Sequence, residues 1–233
     1  MSGRKEKLQI FGPAGLEDFI QVQLRISKSN LTYPLIFEVV DTKQSKKIYE
    51  DESLEVMSIP LKHRIPTTGY LFKEKARPLN VRPEQLKQYQ IPVEAIKKIK
   101  SGEDYISKEG QVIANEKLTK APFLTRSFAY CSDTAYDESI VPLIHGVDLL
   151  YHETTFGEDK VEQARKTMHS TAKQAAQIAK LAEVGQLITG HYSSRYADLD
   201  ILLQEAQSVF KATVLGIEGQ TYSVEAQRAE IHY

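Results

Sequence analysis

Apolar positions along the chain follow two periods, and the switches between them outline the elements. Leu8-Gln9-Ile10-Phe11 reads as a strand, Gly12-Pro13 as a turn, and Leu16, Phe19 and Ile20 as the apolar face of a helix. Pro34 to Val40 and Leu54 to Leu61 read as strands. In the second, Met57, Ile59, Leu61 and His63 share one face by the period of two, which puts His63 at a strand end beside apolar neighbours. From Lys73 to about Pro122 prolines, charges and Gly102 interrupt every pattern, and only Val93 to Lys100 suggests a short helix. A stretch of that length predicts an inserted arm rather than a connecting loop.

Alternation then resumes. Phe128 to Cys131 reads as a strand ending at Ser132-Asp133-Thr134, and Val147 to Tyr151 as a strand ending at His152-Glu153-Thr154-Thr155. Thr171 to Val184 predicts a helix with Ala172, Ala175, Ala176, Ala179 and Ala182 on a small-residue face. Thr171 and Gln174 form a capping box, and Gly185 is placed to stop that helix. Gln186 to Thr189 is a short strand ending at Gly190-His191, Asp198 to Phe210 a helix with Leu199, Leu202, Leu203 and Ala206 in register, and Thr213 to Val224 a hairpin around Glu218-Gly219-Gln220. This is an α/β pattern.

Composition narrows the class. The 233 residues, 41% hydrophobic and 26% charged, can bury one sizeable core. No apolar run approaches a bilayer span, and no long apolar segment follows Met1 to Lys7, so neither a membrane protein nor a secretory leader is expected. The single cysteine, Cys131, excludes an intrachain disulfide and fits a reducing, cytoplasmic location; its apolar strand makes it a core residue rather than a nucleophile. The segment from Lys73 to Lys100 carries eight Lys or Arg and three Glu, a local +5 in a chain of net charge −1, leaving −6 for the remainder. A basic island on an acidic body can hold a polyanion locally, and it can equally be a solvated charged surface.

Three of the six histidines, His63, His152 and His191, and also Asp133 fall at strand ends, where layered α/β folds present side chains to a cleft. Imidazole and carboxylate are zinc donors, and a bridging carboxylate can hold two ions together. Each histidine alone could as well be hydrogen-bonded or on the surface, and the spacings match no compact zinc signature. His169 immediately precedes the cap of the Thr171 helix, whose positive end favours a neutral imidazole there. It could shuttle a proton or merely pack at the helix entry. Arg195, just after His191, suits a phosphodiester or a structural ion pair.

Several strings resemble the ribonuclease Z family of the metallo-β-lactamase superfamily over nearly the whole chain. They are Ile10-Phe11-Gly12-Pro13 with Gly15; Lys62-His63-Arg64 with Gly69-Tyr70; Ser132-Asp133-Thr134; His152-Glu153-Thr154-Thr155-Phe156; His169-Ser170-Thr171-Ala172; and Gly190-His191-Tyr192-Ser193-Ser194-Arg195-Tyr196. The resemblance implies a metallo-β-lactamase αββα sandwich over residues 1–233, with an inserted tRNA-binding exosite arm at about 73–120. It implies His63 and His191 as ligands of separate zinc ions and Asp133 as the carboxylate bridging both. It also implies His169 and Glu153 as proton-relay groups, Lys97, Lys98 and Lys100 among the arm residues touching RNA, and Arg195 near the phosphate. The implied reaction is zinc-dependent hydrolysis of precursor tRNA that removes the 3′ trailer, by a homodimer. Alternatives are another phosphodiesterase or sulfatase of the same fold, or a non-catalytic RNA-binding relative. The resemblance departs at one point: the family's H-x-H-x-D-H cluster does not occur in the sequence and would lie upstream of Met1. The expectation is therefore a fold lacking its first strands, weak zinc binding and little or no cleavage.

Overall fold

The computed structural model of the chain describes residues 3–224. Its elements begin with β1 (Leu8–Gly12), α1 (Leu16–Ile26), β2 (Leu35–Val39), β3 (Lys47–Glu50), β4 (Leu54–Leu61) and β5 (Thr67–Glu74). The interrupted segment holds β6 (Asn80–Val81), α2 (Pro83–Gln88), α3 (Val93–Lys100), β7 (Tyr105–Ile106), β8 (Val112–Ile113), α4 (Asn115–Leu118) and β9 (Thr119–Lys120). The chain continues with β10 (Ser127–Cys131), β11 (Leu149–Glu153), α5 (Val161–Thr167), α6 (Ala172–Leu181), β12 (Gln186–Gly190), α7 (Asp200–Val209) and β13 (Thr213–Leu215).

The first of two compact units, residues 1–73 with 127–222, is built on a seven-stranded sheet of order β13-β12-β11-β10-β5-β4-β3. Strands β10 to β13 run parallel, and β5 meets β10 antiparallel. Register sets Leu71, Ala129, Leu150 and Leu187 side by side in one row, and all four are buried in the core that α6 and α7 cover. Ala172, Ala175, Ala176, Ala179 and Ala182 are fully buried, and their small side chains let α6 lie close to the sheet. Alternation sends the next row, Tyr70, Tyr130 and Tyr151, to the opposite face. There Tyr130 stacks on Tyr151 with ring centroids 4.7 Å apart, and Tyr70 Oη donates to Phe11 O at 3.0 Å. That bond ties the parallel β1–β2 pair to this face.

Three expectations change. Helix α1 buries no residue, and Phe19 on its apolar face is 64% exposed. The α6 helix ends at Leu181, four residues before Gly185: Ala182 caps it and Glu183 takes the left-handed turn at φ 52°. Gly185 instead serves a close approach, since a Cβ there would lie 2.6 Å from Asp148 O. The expected hairpin at 213–224 is a single strand, β13, paired in parallel with β12 and followed by an irregular segment held by Tyr222 Oη to Leu215 O at 2.6 Å. Strands β3 and β5 complete the sheet without having been expected.

The second unit, described over Glu74–Arg126, Ser223 and Val224, also differs from its expectation. It has its own core of Ile91, Ile99, Ile113 and Leu118, around the predicted helix at Val93–Lys100. Buried Asn115 ties it together by donating to Ile99 O and Glu103 O, both at 2.7 Å. The segment closes on itself at its ends. Glu74 N donates to Arg126 O at 2.9 Å, and the Arg126 guanidinium meets the Glu74 carboxylate at 2.6 Å. Arg126 holds the Glu74 carboxyl down at about 2, against an ordinary 4.5. A depressed carboxyl stabilises the fold fully above its ordinary pKa and loses that contribution as pH falls through the folded value. Glu74→Gln therefore lowers the urea midpoint at neutral pH, and the gap from the unaltered protein closes as pH falls from 4.5 through about 2. A gap that stayed constant down to that pH would contradict the pairing.

Candidate metal centre

The C-terminal ends of β10, β11 and β12 lie along one edge of the sheet because these strands are parallel. In such sheets that edge is where ligands bind. Asp133 leaves the end of β10, Glu153 ends β11, and His191 follows β12. The end of β4 joins them through Lys62 N to Thr134 Oγ1 at 3.1 Å and Ala135 N to Lys62 O at 2.8 Å, and His63 is the next residue. The start of α6 is drawn in by Ser170 Oγ to Thr134 O at 2.8 Å, which places His169 beside the same edge. The capping box of Thr171 and Gln174 forms as expected.

His63, Asp133, His169 and His191 thus converge. His63 Nε2 lies 4.0 Å from Asp133 Oδ2, and His191 Nε2 lies 3.3 Å from Asp133 Oδ1. The rings of His63 and His169 have centroids 4.9 Å apart, and those of His169 and His191 stack at 5.3 Å. The tautomers follow from the partners. His63 Nδ1 lies 2.9 Å from Met168 O, an atom that can only accept, so Nδ1 carries a proton and in the neutral ring Nε2 has the lone pair. His191 Nδ1 lies 2.8 Å from Thr155 Oγ1, whose own hydrogen goes to Glu153 Oε2 at 2.9 Å. Two imidazole lone pairs therefore face the two oxygens of one carboxylate, an arrangement of electron-rich atoms that a cation balances. This donor set fits a metal. His63, Asp133 and His169 each offer a ligand atom within 4.8 Å of one another, and Asp133 and His191 are open to solvent on one side.

Glu153 is the buried anchor. It is fully buried and accepts from Thr134 N at 3.1 Å, Thr155 N at 3.0 Å, Thr155 Oγ1 at 2.9 Å and His169 Nδ1 at 2.7 Å. Burial pushes its pKa up, but these donors outweigh burial and hold it below the ordinary carboxylate value. The same bond moves His169 the other way from its expectation. The hydrogen bond to Glu153 raises the His169 pKa against opposition from burial and Arg64, so a carboxylate in contact outweighs the helix end. His152, the fourth strand-end candidate, is not brought to the centre. It lies within β11, on the core face beside Cys131 of β10, with Nδ1 2.7 Å from Glu153 O and Nε2 unpartnered. Burial pushes its pKa down and pushes the Cys131 thiol up to about 12, which leaves Cys131 the core residue it was read as.

Arg195 is exposed on the loop after His191 and donates to Ser193 Oγ at 3.3 Å. Lys97 and Lys98 are exposed on α3 in the second unit, and Lys100 is half-buried at its end. His232 lies outside the described residues. Three contributors escaped the sequence reading: the Met168 carbonyl, Thr134 and the Thr155 hydroxyl. The left-handed Met168 (φ 57°) that delivers the carbonyl has no residue-type signal, whereas Thr155 stood in a quoted motif without a role.

The fold and this edge define a metallo-β-lactamase fold protein. The chain aligns with human tRNase Z, short form, at a TM-score of 0.60 and 22% identity, over 95% of this chain and 70% of that one. It aligns with the metallo-β-lactamase fold protein YhfI of Bacillus subtilis at 0.53 and 19%, over 90% and 61%. No protein-family model matches the chain. In sequence it is 47% identical over 224 residues to the ribonuclease Z of Parabacteroides distasonis, covering 96% of this chain and 74% of that protein. It is 46% identical over 222 residues to the ribonuclease Z of Bacteroides fragilis, covering 95% and 73%. The chain belongs to the ribonuclease Z family.

Proposed function

We propose that the chain acts in zinc-dependent hydrolysis of a phosphodiester at the 3′ side of precursor tRNA. The observation that carries this reading is the pair of imidazole Nε2 atoms facing opposite oxygens of Asp133. Ribonuclease Z relatives at 43–47% identity and the likeness to human tRNase Z support RNA as the substrate class. His63, Asp133 and His191 would hold zinc, which supplies an electrophile for the phosphate and lowers the pKa of water. Glu153 fixes the His169 ring through Nδ1, leaving Nε2 to deliver a proton to the departing ribose oxygen. Arg195 pairs with no carboxylate among the described residues, and its fork suits two phosphate oxygens. Shared between two ions, His63, Asp133 and His191 would give each zinc one imidazole and one carboxylate oxygen, fewer than the three or four protein donors a zinc ordinarily takes. These 233 residues by themselves would then hold zinc weakly and turn over slowly. A cytoplasmic homodimer is the assembly we propose, with the second unit gripping the tRNA away from the cut.

The grip is testable by itself. Exchange of Lys97, Lys98 and Lys100 for glutamine is expected to weaken precursor tRNA binding and to flatten its salt dependence by up to about 3 in log–log slope. Hydrolysis of a small phosphodiester should be unchanged. Equal tRNA affinity and slope in the triple variant would remove these lysines from the interface, and equal loss on both substrates would favour a general fold defect.

A further inference from the structure

Thr155 is buried between two groups that the proposed chemistry uses separately. Its backbone N–H and its hydroxyl both donate to Glu153 Oε2, at 3.0 and 2.9 Å. Glu153 has no other use for that oxygen among the described residues, since Thr134 N and His169 Nδ1 take Oε1. A threonine hydroxyl has one proton and two lone pairs. With its proton committed to the carboxylate, Thr155 Oγ1 can only accept, and two ring nitrogens reach it: His191 Nδ1 at 2.8 Å, and His169 Nδ1 at 3.2 Å, which makes its shorter bond to Glu153 Oε1 at 2.7 Å. If the hydroxyl turned to donate to His191, its oxygen would face the Glu153 carboxylate at 2.9 Å with no hydrogen between them.

From this we infer that Thr155 is a positioning residue: it passes the negative charge of Glu153 to His191 as a hydrogen-bond direction, and so fixes the ring with its proton on Nδ1 and its lone pair on Nε2, facing Asp133. The inference rests on the proposed role of His191 as a metal donor, but it concerns the metal-free ring. Asp133 works against Thr155 there. Its Oδ1 lies 3.3 Å from His191 Nε2 and, in the absence of a cation, favours a proton on that nitrogen. The two neighbours pull the single proton of the neutral ring to opposite ends, and Thr155 decides the outcome because its hydroxyl is locked and buried whereas Asp133 is partly exposed. Through Thr155, Glu153 serves both histidines: His169 directly through Oε1, and His191 through Oε2 and one hydroxyl.

Nitrogen NMR of the imidazole rings in the metal-free protein at alkaline pH reads the tautomer without any cleavage assay. The unaltered protein and Thr155→Ser should show His191 with its proton on Nδ1, and Thr155→Val should move it to Nε2. Zinc affinity should fall roughly 10- to 100-fold in Thr155→Val, the cost typical of losing a partner of a ligand, and recover in Thr155→Ser. A His191 proton on Nε2 in the unaltered protein would overturn the inference, and this reading needs no variant to fold. So would an unmoved tautomer in a folded Thr155→Val. Failure of the nuclease reading looks different: no zinc binding by any of the three proteins, with the tautomer pattern intact.

Discussion

Glu153→Ala lowers the melting temperature by roughly 6–20 °C, the equivalent of about 3–5 kcal/mol in a domain of this size. The carboxylate is fully buried and receives four hydrogen bonds. Removing it strands the Thr134 and Thr155 N–H groups in the interior and leaves His169 beside an empty space. Each unsatisfied buried donor costs about 1–3 kcal/mol, and the charged partner more, although such costs do not add simply. The damage extends beyond the local hole. Thr134 N connects Glu153 to the loop that carries Asp133, and Ser170 Oγ connects the same loop to the start of α6. Three of the four converging side chains are therefore held through this one residue or its immediate partners. Thermal melts of the metal-free variant check the expectation; a shift under 2 °C would mean that the network is slack.

Asp133→Asn has the opposite profile. The side chain is partly exposed, and it faces imidazole nitrogens at 3.3 and 4.0 Å rather than buried donors. Its loss should change stability by no more than about 0.5 kcal/mol, as for a surface exchange. Zinc affinity should nevertheless fall by more than the roughly 100-fold that marks the upper end for losing a mere partner of a ligand. An amide keeps the size but gives up the charge and one of the two oxygens that could serve two ions. The pair of variants thus separates a group that holds the fold from one that holds the metal, although both are carboxylates on the same sheet edge. Equal effects on melting temperature would contradict this division.

The strand-end logic reached most of the centre from the residues alone because alternation and parallel pairing carry direction as well as position. His63, Asp133 and His191 each follow a strand that could be read from its apolar run. His152 misled for the same reason. The strand runs two residues further than its apolar pattern, so His152 is inside it and points to the core, while Glu153 takes the edge. The pKa of His169 could not be read, since a helix end is visible in sequence and a carboxylate 16 residues away in contact is not. The internal order of the segment expected as an arm escaped because its strands are two residues long and its core has four buried aliphatic members, too few to impose a period. Strand β5 was missed where Gly69 breaks its pattern. That glycine is required by packing, as a Cβ would lie 2.5 Å from Tyr130 O.

The central claim is that His63, Asp133 and His191 share bound ions, and imidazole NMR during a zinc titration tests it most directly. The account predicts that Nε2 of both His63 and His191 shifts in parallel with added zinc, that His145 and the buried His152 stay still, and that Asp133→Asn suppresses the response. Zinc that moved neither Nε2, or moved only one of them with Asp133→Asn behaving like the unaltered protein, would contradict it.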